Sequence, residues 1–316
     1  MRYLYLFLAS IAMSIPLYSS ADNLLSETLS KIQNVFSKKY TDEELSKLPL
    51  KEVEPLCLKK NVTQSCIFAG KKYSNVNFEY KDYIKAENLF SRGCELKDAE
   101  SCIKLGELYE LKVIEKKGNS DTIAAYEKAC ELKGSRGCAF LGILYDSGQG
   151  VKQDYKTAKD YYEKACELND GLGCSILGNL YDSGRGVKQD YKTAKEYYEK
   201  ACELNNGRGC GALGILYFDG QGVKQNYKTA TKYYEKSCEL GESFLCTLAG
   251  INYEIGLGVK QSYSQAKHFY GKACDLGLEA GCSRYARLNK QGYWLNSTVC
   301  SKRWIGYEIF IFVFHT

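Results

Sequence analysis

Thirteen of the fifteen cysteines in this chain fall on a fixed ruler. Cys94, Cys130, Cys166, Cys202, Cys238 and Cys274 follow one another at intervals of 36 residues. Cys66, Cys102, Cys138, Cys174, Cys210, Cys246 and Cys282 keep the same interval, and each of the last six lies 8 residues after a member of the first series. Cys57 and Cys66 form a further pair with one residue inserted. A fixed period of this length means a stack of small units, each burying its apolar face against the next. It does not describe one core built around a single site.

Each unit reads as helix–turn–helix. In the stretch from Asp190 to Tyr217, Ala194, Tyr197, Tyr198, Ala201 and Cys202 recur at helical spacing and leave Lys192, Lys195 and Glu199 to solvent. The start of this helix aligns across units at Asp154, Asp190, Asn226 and Ser262, side chains that accept hydrogen bonds from free first-turn N–H groups. The second helix is expected from about Cys210 to Phe218, after about five turn residues. It should end in glycine turns such as Gly148-Gln149-Gly150 and Gly184-Arg185-Gly186. A valine (Val151, Val187, Val223, Val259) then packs under each turn. Glycine also recurs inside the second helix, as at Gly142, Gly178 and Gly214. It costs about 1 kcal/mol there against alanine, so its register implies close helix–helix approach. The tyrosine three residues on (Tyr145, Tyr181, Tyr217) is expected to fill the adjacent space. The fold predicted is all-α: an α/α solenoid of about seven repeats over residues 57–289. Residues 22–56 form a helical cap ahead of it. There Leu24, Leu25, Leu29, Ile32, Val35 and Phe36 mark an amphipathic helix, and Thr41-Asp42-Glu43-Glu44 begins a second by a capping box.

The cysteine spacing sets one member of each pair near the end of a helix and the other at the start of the next. Antiparallel neighbours so joined bring the two Cα atoms within the roughly 4.4–6.8 Å that a disulfide spans. The expected bridges are Cys57–Cys66, Cys94–Cys102, Cys130–Cys138, Cys166–Cys174, Cys202–Cys210, Cys238–Cys246 and Cys274–Cys282, each contributing roughly 2–3 kcal/mol by loop-entropy reasoning. Fully reduced buried thiols are the alternative. A redox role would want Cys-x2-Cys, which is not seen. Such cysteine use fits an oxidising compartment. In agreement, residues 1–21 read as a cleavable signal peptide: Arg2, an apolar run from Tyr3 to Met13, and small residues at Ser19 and Ala21. The expected destination is the periplasm or the exterior, with no membrane span left after cleavage. Only two histidines occur, His268 and His315, too few for repeated zinc sites, so no metal and no cofactor is expected. The net charge is +5 and the lysines are dispersed, which excludes the basic stripe of a nucleic-acid binder.

The succession of a Gly-x-Gly-Val turn, Tyr-Tyr-Glu-Lys-Ala-Cys-Glu-Leu (Tyr197–Leu204), and Gly-Cys-x2-Leu-Gly-x-Leu-Tyr (Gly209–Tyr217) resembles Sel1-like repeats. With a Cys-x7-Cys pair in nearly every unit, the chain resembles the Helicobacter cysteine-rich proteins in particular. The resemblance covers about Cys57 to Asn289. It implies a right-handed superhelix akin to tetratricopeptide folds, with one disulfide tying each helix pair. It also implies a secreted protein linked to host immune recognition, whose relatives are described as penicillin-binding or weak β-lactamases. Two stretches depart from the pattern. Residues 110–125 lack the Gly-x-Gly-Val turn. The tail 290–316, with an apolar run Ile309–Phe314 and the unpaired Cys300, carries no further repeat. An altered terminus and a genuine capping tail both remain open, as do a free thiol and an intermolecular link for Cys300.

The hydrolase implication finds little support in the residues. Ser-x-x-Lys occurs at Ser101–Lys104 and Ser264–Lys267, at a frequency chance accounts for; Ser120-Asp121-Thr122 and Lys156-Thr157-Ala158 are loose matches to the other serine β-lactamase elements. The zinc route lacks ligands, and His268 reads as a helix-surface residue. The catalytic residues are therefore left unassigned, with β-lactam among the possible ligands.

Positions that vary within the repeat frame are freer to recognise a partner. One, five and eight residues after the second cysteine of a unit lie on one helix face. That face carries Ser175; Ile143, Asn179, Ile215 and Ile251; and Asp146, Asp182, Phe218 and Glu254. Stacked along the concave side, this stripe is the expected groove for an extended peptide, a peptidoglycan fragment or a host protein, with Asn179 holding the ligand backbone. The chain is expected to act as a monomeric binding scaffold.

Overall fold

The computed structural model describes residues 40–75, 82–114 and 117–290. The expected signal peptide, the amphipathic segment at 24–36 and the tail with Cys300 lie outside the described residues.

Among the described residues every regular element is a helix. α1 (Asp42–Ser46) starts at the capping box read from the sequence: the Glu44 N–H donates to Thr41 Oγ1 at 3.1 Å, and the Thr41 N–H donates to Glu44 Oε2 at 2.8 Å. Seven antiparallel pairs follow. They are α2 (Leu50–Leu58) with α3 (Thr63–Ser74), α4 (Tyr83–Glu95) with α5 (Ala99–Glu110), and α6 (Asn119–Glu131) with α7 (Ser135–Ser147). Next come α8 (Tyr155–Glu167) with α9 (Gly171–Ser183) and α10 (Tyr191–Glu203) with α11 (Gly207–Asp219). The last are α12 (Tyr227–Glu239) with α13 (Ser243–Ile255) and α14 (Tyr263–Asp275) with α15 (Glu279–Lys290). The helix carrying Cys57 thus begins at Leu50, inside the span read as a cap.

Each pair carries its disulfide, with Cα–Cα distances of 4.5–4.9 Å. The turn between the helices is tighter than the five residues expected. After Glu203 only Leu204, Asn205 and Asn206 intervene. Asn205 takes a left-handed φ of 58°, and the Asn206 side chain caps α11 by accepting the Gly209 N–H at 2.9 Å. Helix therefore starts three residues ahead of Cys210, which sits in its first turn. Leu204 packs over the Cys166–Cys174 bridge of the preceding unit, so each staple also serves as floor for its neighbour.

The recurrent glycine has a different partner from the one expected. A Cβ on Gly142, Gly178, Gly214 or Gly250 would meet the ring of Tyr162, Tyr198, Tyr234 or Tyr270 at 2.5–2.7 Å, a buried side chain from the next unit's first helix. The tyrosine three residues on stacks instead on the other member of the Tyr-Tyr pair. Tyr145 lies on Tyr161, Tyr181 on Tyr197 and Tyr217 on Tyr233, with centroids 5.6–5.8 Å apart. Adjacent tyrosines in sequence thus lock two different surfaces of the preceding repeat.

First helices start where the sequence places them. The N-caps are Asp154, Asp190, Asn226 and Ser262, and all four side chains accept a first-turn N–H. Second helices end on left-handed Gly148, Gly184, Gly220 and Gly256, with φ of 72–75°. The second glycine of each turn rests on the start of its own unit's first helix: Gly186 on Tyr155, Gly222 on Tyr191 and Gly258 on Tyr227. The turns therefore run as one continuous edge. Along the middle of the stack α7, α9 and α11 lie against one another, while α6, α8 and α10 make no comparable mutual contact. Second helices form the inner wall of the curve. No described helix is long and apolar enough to cross a membrane.

Candidate functional site

On that inner wall a groove of about 420 Å³ runs over three successive second helices. Its sides are Ile143 and Asp146 from α7, Ser175, Ile176 and Asn179 from α9, and Gly211, Ala212 and Ile215 from α11. Tyr162, Tyr198 and Leu245 form deeper parts, and Arg185 and Arg208 stand at its rim. Helical spacing put Ile143, Asn179 and Ile215 on one face, and the solenoid brings these three together with Asp146 and Ser175. At Gly211 the missing side chain gives room to Leu245, whose Cγ lies 2.9 Å from where a Cβ would be.

The stripe does not enter the groove whole. Asp182, Phe218, Ile251 and Glu254 lie outside its lining. Three of these are engaged with the next unit. Asp182 accepts the Tyr198 hydroxyl at 3.2 Å, and Glu254 accepts the Tyr270 hydroxyl at 2.6 Å and is paired with Arg287. Phe218 packs edge-on against Tyr227 at 5.2 Å. Much of the variation at this position is therefore alternative chemistry for receiving a buried tyrosine. Burial raises the Asp182 carboxyl above its ordinary value; the Tyr198 hydrogen bond partly offsets this and Asp219 adds to it. For Glu254 burial pushes upward too, but the Tyr270 hydroxyl and Arg287 outweigh it and hold the carboxyl below the ordinary range. The hydroxyls of Tyr162 and Tyr198 are pushed far up, first by burial and then by the neighbouring aspartate.

Sequence reasoning missed the arginines. Arg185 reaches back across the groove mouth to Asp146 Oδ2 at 2.8 Å and lies over the Tyr155 ring. This leaves Asp146 Oδ1 and the nearby Tyr162 hydroxyl buried, with neither in a well-formed hydrogen bond. Arg208 makes only a loose 3.8 Å contact with Glu242, and its side chain is 75% exposed. The signal for Arg185 was present: it fills the middle of a Gly-x-Gly turn where other units carry Gln149, Gln221 and Leu257.

The serine pairs are not arranged as nucleophile and base. Ser101 is fully buried, its Oγ packed beside Gly93, and Lys104 is held by Glu107 at 2.6 Å. Ser264 is exposed, whereas Lys267 is buried over the Tyr285 ring. His268 is partly buried, with its imidazole pushed down by burial and by Lys272. No cluster of metal-ligating side chains occurs among the described residues.

The Sel1 repeat family model matches residues 78–98, 135–170, 172–206, 208–242 and 245–278. The chain belongs to the Sel1 repeat family. The Sel1 match skips residues 99–134, where α6 starts at Gly118 and no glycine turn precedes it. Among solved structures, a protective antigen present in uropathogenic Escherichia coli strains is 26% identical. It aligns over 78% of this chain and 52% of its own, with a TM-score of 0.66. This Sel1 protein thus spans about half the length of that relative. A Sel1 repeat protein of Oxalobacter formigenes is 23% identical over 77% of this chain and 98% of its own, at TM-score 0.59, which shows the shared fold. Helicobacter pylori cysteine rich protein B is 41% identical over 43% of this chain and 98% of its own, at TM-score 0.35. No curated protein matches the chain. Seven disulfides in a Sel1 stack fit maturation in an oxidising, extracytoplasmic compartment.

Proposed function

We propose that this Sel1 protein is an exported scaffold, sent out by the signal peptide at residues 1–21, that holds a partner's extended segment in the groove over α7, α9 and α11. The observation that carries this reading is the groove itself. Ile143 and Ile215 supply apolar walls one helix to either side of the exposed Asn179 carboxamide, which offers a donor and an acceptor together. An extended chain presents alternating side chains and a regular row of N–H and C=O groups, and this lining matches both. Helix-pair repeats commonly recognise partners in this way. A peptide from a host protein or from a cell-wall cross-link has this chemistry.

The test is equilibrium binding of pooled extended peptides and soluble peptidoglycan fragments to the oxidised protein and to Asn179→Ala/Ile215→Ala. A ligand that binds the parent should lose about tenfold or more in the double variant, since a buried contact and a backbone-directed hydrogen bond go together. Unchanged affinity for every bound ligand would remove the groove as the site.

A further inference from the structure

The lysines that are scattered along the sequence come into register in three dimensions. Lys152 and Lys156, Lys188 and Lys192, Lys224 and Lys228, and Lys260 flank the N-caps of α8, α10, α12 and α14. All are exposed, and none is within ion-pair distance of a carboxylate among the described residues. The glycine turns stack on the preceding helix starts, so the row is continuous. Starts of first helices and ends of second helices meet at this edge, so their dipoles offset and the lysines set its charge.

The carboxylates on this edge are unevenly placed. Asp154 and Asp190 are held by backbone N–H groups and by the Thr157 and Thr193 hydroxyls at 2.8 Å, and Asp160 and Glu196 follow Lys156 and Lys192 by four residues. Further along, the caps are the neutral Asn226 and Ser262, and the residue four after Lys228 is Lys232. Asp219 is the nearby acid at the end of α11, and Glu235 is taken by the Tyr253 hydroxyl at 2.6 Å. Positive charge is thus least compensated at α12–α14. There an open depression of about 870 Å³ lies between Lys228 and Lys260, with Gln261, Ser262 and Gln265 along its side.

We propose that this edge binds a linear anionic polysaccharide, with the depression between Lys228 and Lys260 as its strongest subsite. The row is one lysine pair wide and recurs once per repeat, which suits a thin chain with regularly spaced carboxylates or sulfates. The neutral amides and hydroxyl between the cations suit sugar hydroxyls. A membrane would call for a plane of charge. The depression shares no lining residue with the groove over α7, α9 and α11, so this subsite stands whatever the groove binds.

The test uses heparin as the probe, with the full oxidised chain, in binding measurements across a salt series. The parent should bind with affinity that falls as salt rises. Lys224→Gln/Lys228→Gln/Lys260→Gln should weaken binding by about ten- to a hundredfold. Lys59→Gln/Lys97→Gln/Lys133→Gln removes the same charge from the opposite turns and should leave it nearly unchanged. Thermal melts of both variants separate lost binding from lost fold. The proposal fails if the parent does not bind heparin at low salt or if the two triple variants weaken equally. It also fails if duplex DNA or anionic phospholipid vesicles bind this edge as tightly as heparin does.

Discussion

At Gly178 an added methyl group would meet Tyr198 Cδ1 at 2.6 Å and the Ala194 carbonyl oxygen at 3.2 Å, and neither the fully packed ring nor the backbone can yield cheaply. Overpacking costs typically 1–3 kcal/mol, and the helix propensity regained is about 1 kcal/mol. Gly178→Ala should therefore lower stability by about 1–2 kcal/mol in urea unfolding, although the same substitution in an isolated helix would stabilise it. The inner-wall carboxylates give a second expectation at this scale. Asp182 has a folded value raised above 3.8, so the stability it contributes is lost as pH rises through that range. Glu254 has a folded value lowered from 4.5, so its contribution is lost as pH falls through the depressed value. In unfolding series between about pH 3 and 6, Asp182→Asn should gain on the parent as pH rises. Glu254→Gln should gain on it as pH falls. Parallel curves would show that neither carboxylate titrates away from its ordinary value in the folded chain.

The element that turns spacing into fold is the three-residue turn between paired helices. Its chemistry changes along the chain without changing its geometry. The left-handed position is Lys97, Lys133, Asn169, Asn205, Gly241 and then Gly277, and the cap after it is Asp98, Asp170 or Asn206. Asn206→Ala removes the acceptor for the Gly209 N–H and should cost about 1 kcal/mol, while Asn206→Asp should be nearly neutral because Asp170 does the same work one unit earlier. Chemical denaturation of the two variants checks this directly. A large loss in the aspartate variant would mean that the neutral Asn206 amide does more than accept the Gly209 N–H.

For the whole molecule, a solenoid has no contact between distant units, so its cooperativity depends on each interface in turn. Cys202→Ser/Cys210→Ser removes one cross-link from the middle of the stack. Loop-entropy reasoning gives a loss of about 2–3 kcal/mol, larger than a terminal fray would tolerate. Leu204 lies just after Cys202 and packs on the Cys166–Cys174 bridge, so the damage should spread into the preceding unit as well. The expected outcome is a broadened transition, with units on either side melting separately, seen as non-coincident circular dichroism and tyrosine fluorescence curves. A single sharp transition at a lower midpoint would instead show that coupling between units survives the missing staple.

The sequence alone determined the period, the helix pairs, the caps at Asp154, Asp190, Asn226 and Ser262, and the partners of fourteen cysteines. Each of these is a short-range relation, set by neighbours within one unit. Tertiary structure decided what the repeated and varied positions do, because every such role involves the next unit. Gly178 admits Tyr198, Tyr181 stacks on Tyr197, and Asp182 receives a hydroxyl 16 residues away. The groove was legible as a stripe, yet only stacking showed that Ile143, Asn179 and Ile215 share it while Asp182 and Glu254 are drawn into packing. The lysines looked dispersed for the same reason: a 36-residue period spreads along the chain what a solenoid gathers onto one edge.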